Sequence, residues 1–125
     1  MIYLLDTNVC VDYMRGRVPG VRHSIDAVPP QAIALCSVVR AELFRGIYRS
    51  ASPLREQARV VAFAQRFASL PFDDPAAEIA GRLDADLQAM GLRIGPYDLH
   101  IAAIALAHGL TLVTRNTQEF SRVMG

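Results

Sequence analysis

Apolar residues occur along this chain in two ways: as short unbroken runs, and as longer stretches where they recur every three or four positions. Residues 1–5 form an apolar run stopped by Asp6, the pattern of a buried strand. Residues 33–37 and 110–113 repeat it, and residues 70–72 form a weaker version. The segments between them predict helices. One covers residues 8–15, with Asn8 as its candidate cap and Gly16 at its end, and another covers about 20–28 before Pro29–Pro30 break the chain. Ser37 is placed to cap a helix over 38–50, and Pro53 opens one from 54 to about 68. Asp74 followed by Pro75 reads as cap and first-turn proline, and Gly91 closes that helix. Gly95–Pro96 start a further helix that runs to Gly109, and a last short one follows Thr117. Short apolar strands alternating with helices predict an α/β fold, a central parallel sheet flanked by helices. Ligands bind such sheets beyond the carboxyl ends of the strands. Asp6 follows the first predicted strand and Asn116 follows the last.

Composition narrows the picture. The 125 residues suit a single domain over 1–125, and 52% hydrophobic against 20% charged residues exclude disorder. Cys10 and Cys36 both sit in apolar stretches and read as small core residues, with no C-x-x-C pair. The N-terminus lacks the basic region and long apolar region of a signal peptide. The longest apolar run, 101–107, is far short of the roughly 20 residues of a membrane span. A reduced cytoplasmic setting without membrane contact is therefore expected. All 13 basic residues are Arg. The absence of Lys removes a lysine nucleophile, a Schiff base and the lysine of a phosphate-binding P-loop. The formal net charge of +1 argues, at face value, against a strongly basic nucleic-acid binder.

Some polar residues stand where apolar ones would be expected. Asp6 opens Asp6-Thr7-Asn8, either as turn chemistry or as a functional acid. Glu42 lies in an apolar-rich helix, where pairing with Arg45 or Arg49 is the plain explanation. Asp98 falls in the first turn of a helix, where the dipole favours a carboxylate. The helix that follows it is apolar nearly all round, so its N-terminus is expected to point into the domain, where an acid needs a partner. Asn116 is a loop amide or a fourth polar group on the same rim. If these segments converge, carboxylates within a few ångströms repel unless a cation sits among them. Oxygen-only ligands suit Mg²⁺ or Mn²⁺, whereas His23, His100 and His108 lack the ligand spacing that zinc needs.

These residues resemble a known family. Leu4-Leu5-Asp6-Thr7-Asn8 looks like the opening motif of PIN-domain ribonucleases, and Ala41-Glu42-Leu43 with Gly46 resembles their second acidic motif. Residues 94–103, Ile-Gly-Pro-Tyr-Asp-Leu-His-Ile-Ala-Ala, followed by 109–120, Gly-Leu-Thr-Leu-Val-Thr-Arg-Asn-Thr-Gln-Glu-Phe, are close to the signature of VapC-type toxins. The resemblance covers essentially the whole chain in order. It implies a PIN-domain fold, Mg²⁺- or Mn²⁺-dependent endoribonuclease activity, a homodimer and inhibition by a cognate VapB-type antitoxin. It implies structured RNA as substrate, such as tRNA or rRNA loops, whose bases are unstacked and accessible. By the same resemblance Asp6, Glu42 and Asp98 are catalytic metal ligands, Asn116 takes a fourth position, and Thr7, Asn8 and Thr114 orient the ligands. Two departures stand out. Arg115 occupies a position where many relatives have Asn, and relatives usually continue past Gly125 with a short apolar tail and final strand.

Arginine placement bears on the partner. Arg40, Arg45, Arg49, Arg55, Arg59 and Arg66 fall in two consecutive predicted helices, opposed there only by Glu42 and Glu56. Arg55, Arg59 and Arg66 are spaced as one helical stripe, which is a solvated face, a phosphate contact or a protein interface. Setting Asp6, Glu42 and Asp98 aside as ion-compensated leaves 13 Arg against nine other acids, an acidic pocket in a basic surround. A haloacid-dehalogenase-like phosphatase and a phospho-accepting receiver domain also begin with a strand followed by Asp, but both need a Lys. A catalytically inactive PIN scaffold that binds RNA or a partner protein is the remaining alternative.

Overall fold

The computed structural model describes residues 1–115. The predicted helix after Thr117 and the side chain of Asn116 lie outside the described residues. Four strands, β1 (Tyr3–Leu5), β2 (Ile33–Cys36), β3 (Ala68–Leu70) and β4 (Thr111–Val113), form one sheet in the order β3-β2-β1-β4. All three pairings are parallel, with Leu4 opposite Ala34 on one side and Leu112 on the other. Parallel strands need crossovers, and the helices supply them: α1 (Thr7–Arg15), α2 (Pro19–Asp26), α3 (Ser37–Tyr48), α4 (Pro53–Ala64), α5 (Asp74–Ala89) and α6 (Pro96–His108). A single 3-10 turn, Pro30–Ala32, leads into β2. The α/β expectation holds.

The chain leaves β1 toward β2 and β3 on one side, then returns to place β4 on the other. The carboxyl end of β1 is therefore the point where strand order reverses, the usual place for a ligand crevice in an open parallel sheet. Leu4, Leu5, Leu35 and Ile104 are almost wholly buried at the centre of the core. Both thiols are buried, and burial pushes Cys10 well above the ordinary thiol range and raises Cys36 as well. Helix α6 buries Leu99 and every residue from Ile101 to Ala105, as its all-round apolar sequence predicts.

Several boundaries differ from expectation. The cap of α1 is Asp6, whose Oδ1 accepts from the Val9 N–H at 3.0 Å, not Asn8, which is exposed on the first turn. Asp73, not Asp74, caps α5. Ser37 is already helical, and Cys36 precedes it without a side-chain cap. Helix α4 ends at Ala64, so the third strand forms at residues 68–70 rather than 70–72. That shortening removes Arg66 from the supposed stripe. Arg66 instead donates to the Tyr13 hydroxyl at 2.6 Å and pairs with Asp26 at 3.4 Å.

Candidate active site

The site is built at the carboxyl ends of the central strands. Strand β1 ends at Leu5, and the turn into α1 places Asp6 at the helix N-cap, 3% exposed. Its Oδ1 is held by the Val9 N–H and its Oδ2 by the hydroxyl of Thr114, the residue just beyond β4. Two neighbouring strand ends thus fix one carboxylate. Burial, the largest effect, raises the Asp6 pKa above the ordinary carboxylate range. The Thr114 and Val9 hydrogen bonds and the nearby Arg115 pull it back, and Asp12 adds to the rise.

Thr7 links this carboxylate to the next. Its hydroxyl donates to Glu42 Oε1 at 2.7 Å, so Glu42 is oriented by α1 and not paired with Arg45 or Arg49 as its own helix suggested. Arg45 instead lies over the Tyr97 ring at 5.8 Å, which ties α3 to the first turn of α6. Asp98 sits in that turn, half-buried, where the helix dipole supports its charge. Two hydrogen bonds, Thr114 to Asp6 and Thr7 to Glu42, are thus brought together because Asp6 and Thr7 are consecutive, and Asp98 is carried on a helix packed beside α3. Among the described residues, no three His, Cys, Asp or Glu side chains form a group able to hold a metal ion. Thr7 and Glu42 open onto a cavity of about 370 Å³ between α1, α3 and α4, with Arg15, Arg49 and Arg59 on its walls.

The donor chemistry fits a hard divalent cation. Every side chain joined here offers oxygen alone, as Mg²⁺ and Mn²⁺ prefer. For Asp6 the cost of burial outweighs the stabilisation from its hydrogen bonds and from Arg115, and a cation would add the positive charge that is still wanting.

Sequence patterns did not single out Asp12. It lies on α1, 6% exposed, and with Asp6 it is one of the two buried charged residues among those described. Arg115 Nε stands 2.8 Å from its Oδ2, a close ion pair in which the donor is not aimed for a hydrogen bond. The available signal was its spacing. Val9 and Asp12 are three apart, so an acid occupies the buried stripe of the helix.

The strand-end acid, the Thr114 hydroxyl that fixes it and the parallel sheet define an α/β protein with an acidic site at the carboxyl ends of its strands. The family model for the PIN domain matches residues 3–125, and this chain belongs to that family. Within it the chain is a VapC-type endoribonuclease toxin. It is 35% identical over 123 residues to the tRNA(fMet)-specific endonuclease VapC of Shigella flexneri, covering 98% of this chain and 92% of that one. The VapBC complex of Salmonella typhimurium, solved bound to DNA, superposes with a TM-score of 0.94 at 33% identity, over 100% of this chain and 94% of that one. VapBC2 of Rickettsia felis, bound to a DNA fragment from its promoter, gives a TM-score of 0.91 at 34% identity, over 98% and 93%.

Proposed function

We propose that this chain is a Mg²⁺- or Mn²⁺-dependent endoribonuclease that cleaves structured RNA, with tRNA as the substrate class, and that a cognate VapB-type antitoxin restrains it. The observation that carries this is the hydrogen-bonded set Thr114–Asp6 and Thr7–Glu42 at the point where strand order reverses. The name of the Shigella relative supports initiator tRNA as the first RNA to test, and the solved toxin–antitoxin complexes support the antitoxin. A cytoplasmic homodimer completes the proposal. Among the described residues no helix is long and apolar enough to cross a membrane.

Asp6, Glu42 and Asp98 would hold the cation, with Asn116 assisting. When bound, it supplies positive charge at the scissile phosphate. The chain's own residues do the rest. Thr114 and the Val9 N–H keep the Asp6 carboxylate in one orientation, and the helix N-terminus favours its ionised form. Thr7 holds Glu42 by Oε1, which leaves Oε2 to orient or accept a proton from the attacking water. Asn8 is exposed on the first turn of α1, next to Thr7 in sequence.

The test is cleavage of a tRNA panel by the wild type, Asp6→Asn and Asp98→Asn, with Mg²⁺, Mn²⁺ or EDTA. Cut products are expected only from the wild type with metal. Full activity in EDTA or in either variant overturns the assignment. The alternative, an inactive scaffold, draws on the lack of a three-acid group among the described residues. Mn²⁺ binding without cleavage across the whole panel would establish it.

A further inference from the structure

We infer that Arg115 is a phosphate-binding residue of this site, held in position by the buried carboxylate of Asp12. The inference rests on the endoribonuclease assignment and adds two residues to it.

Asp12 has little solvent to stabilise its charge. Its side chain is 8% exposed, and its Oδ2 accepts no hydrogen bond among the described residues. The close positive group is Arg115, whose Nε approaches to 2.8 Å while the side chain as a whole stays 56% exposed. An acid buried on a helix with an exposed cation as its partner is a poor device for stability, because desolvation offsets the attraction. It is a good device for fixing where a guanidinium stands. Arg115 directly follows Thr114, which holds Asp6, and is close enough to Asp6 to stabilise its charge. The anchored guanidinium therefore sits near Asp6, the acid assigned to the reaction, and on the solvent side of it.

Chemistry selects the ligand. A guanidinium has five N–H donors in a planar fork, and its contact with Asp12 is through Nε. The donors left over match the oxygens of a phosphodiester. Pinning a long side chain in advance lowers the conformational entropy lost on binding. Asp12 is thus a positioning residue that acts through Arg115.

The experiment compares the wild type, Arg115→Ala, Arg115→Lys, Asp12→Asn and the Asp12→Asn/Arg115→Ala double variant. RNA cleavage is followed by kcat and KM, and RNA binding is measured in EDTA over a range of salt. Arg115→Ala is expected to raise Kd and KM by about three- to tenfold, change kcat less, and reduce the slope of log affinity against log salt by about 0.7, one single-strand phosphate contact. Arg115→Lys restores the salt slope but only part of the affinity, since it keeps charge without the fork. Asp12→Asn weakens binding in the wild-type background and adds nothing in the Arg115→Ala background. Unchanged KM and salt slope in Arg115→Ala overturn the proposal, as does an Asp12→Asn effect of equal size in both backgrounds. If Asp12→Asn fails to fold, the two Arg115 variants still decide. Failure of the wild type to cleave any RNA counts against the functional assignment, whereas cleavage with an unaltered Arg115→Ala counts against this inference alone.

Discussion

Helix α1 carries a polar cluster at each end, and the two are built on opposite principles. At its N-terminal end Asp6 is buried, and Asp12 is buried further along the helix. There burial dominates, and the Asp6 carboxyl is pushed above its ordinary range. At the C-terminal end Tyr13 donates to the exposed Asp26 at 2.6 Å, and Arg66 donates to Tyr13 at 2.6 Å. Arg22 closes that end by donating to the Tyr13 and Met14 carbonyls, which the helix itself leaves unpaired. Here hydrogen bonds dominate, and the Asp26 carboxyl is pulled down. The C-terminal cluster fastens α1 to α2 and to the segment after α4. The N-terminal one keeps carboxylates where the fold would be better without them, which agrees with the catalytic role proposed for Asp6.

The largest difference between the ends is expected in activity. Asp6→Asn should lower cleavage by about a hundredfold or more, because one of the charges proposed to hold the cation is lost. Folding should survive, since Asn caps a helix as well as Asp does. Near wild-type rates for this variant would erase the distinction between the two ends. Thr114→Val comes next. It removes the hydroxyl from Asp6 Oδ2 and keeps the shape, so cleavage should fall about 10- to 100-fold, as when a partner that orients a ligand is lost. A buried acceptor left unpaired also costs about 1–3 kcal/mol of stability, readable as a lower urea midpoint.

How far the sequence showed this contrast depends on the element. The strand end at Asp6 was legible because an apolar run stops abruptly there, and the dense apolar character of 99–107 marked a buried helix. Caps were less legible. Asp6-Thr7-Asn8 offers three capable side chains, and only the strand pairing decides that Asp6 turns its oxygen onto Val9. Asp73 and Asp74 pose the same ambiguity one residue apart. Residues 65–72 carry Phe67, Leu70 and Phe72, whose spacing fits several registers, so the apolar pattern alone puts the third strand two residues past its true start at Ala68. Tertiary pairing then moved Arg66 from a helical face to the Tyr13 cluster. Of the site, the acids that resemble family positions were visible. Asp12 was not, because its importance arises from a pairing 103 positions away in sequence, with Arg115.

At the C-terminal end effects should be smaller. Arg66→Ala removes the exposed ion pair with Asp26 and the hydrogen bond to Tyr13. A loss of about 0.5–1 kcal/mol is expected, with cleavage unchanged. A hundredfold drop in cleavage instead would mean that the two ends are coupled through α1.

The smallest effect is also the sharpest, because its sign differs between the ends. The Asp6 pKa in the folded chain lies above the ordinary 3.8. Between those values the folded chain binds more protons than the unfolded one, so stability falls as pH rises through that window. Asp6→Asn escapes this penalty. Without metal, its melting temperature should gain on that of the wild type as pH increases from acid to neutral. Asp26 has the opposite shift, to below 3.8. Its contribution is complete above that value and lost as pH falls through the folded pKa. Asp26→Asn should therefore melt below the wild type at neutral pH and converge with it in acid. Melting curves for the three proteins from about pH 3 to about pH 7, with EDTA present, read both signs at once. Two difference curves that bend the same way would show that burial does not govern the N-terminal end, and the contrast between the two ends of α1 would fail at its physical root.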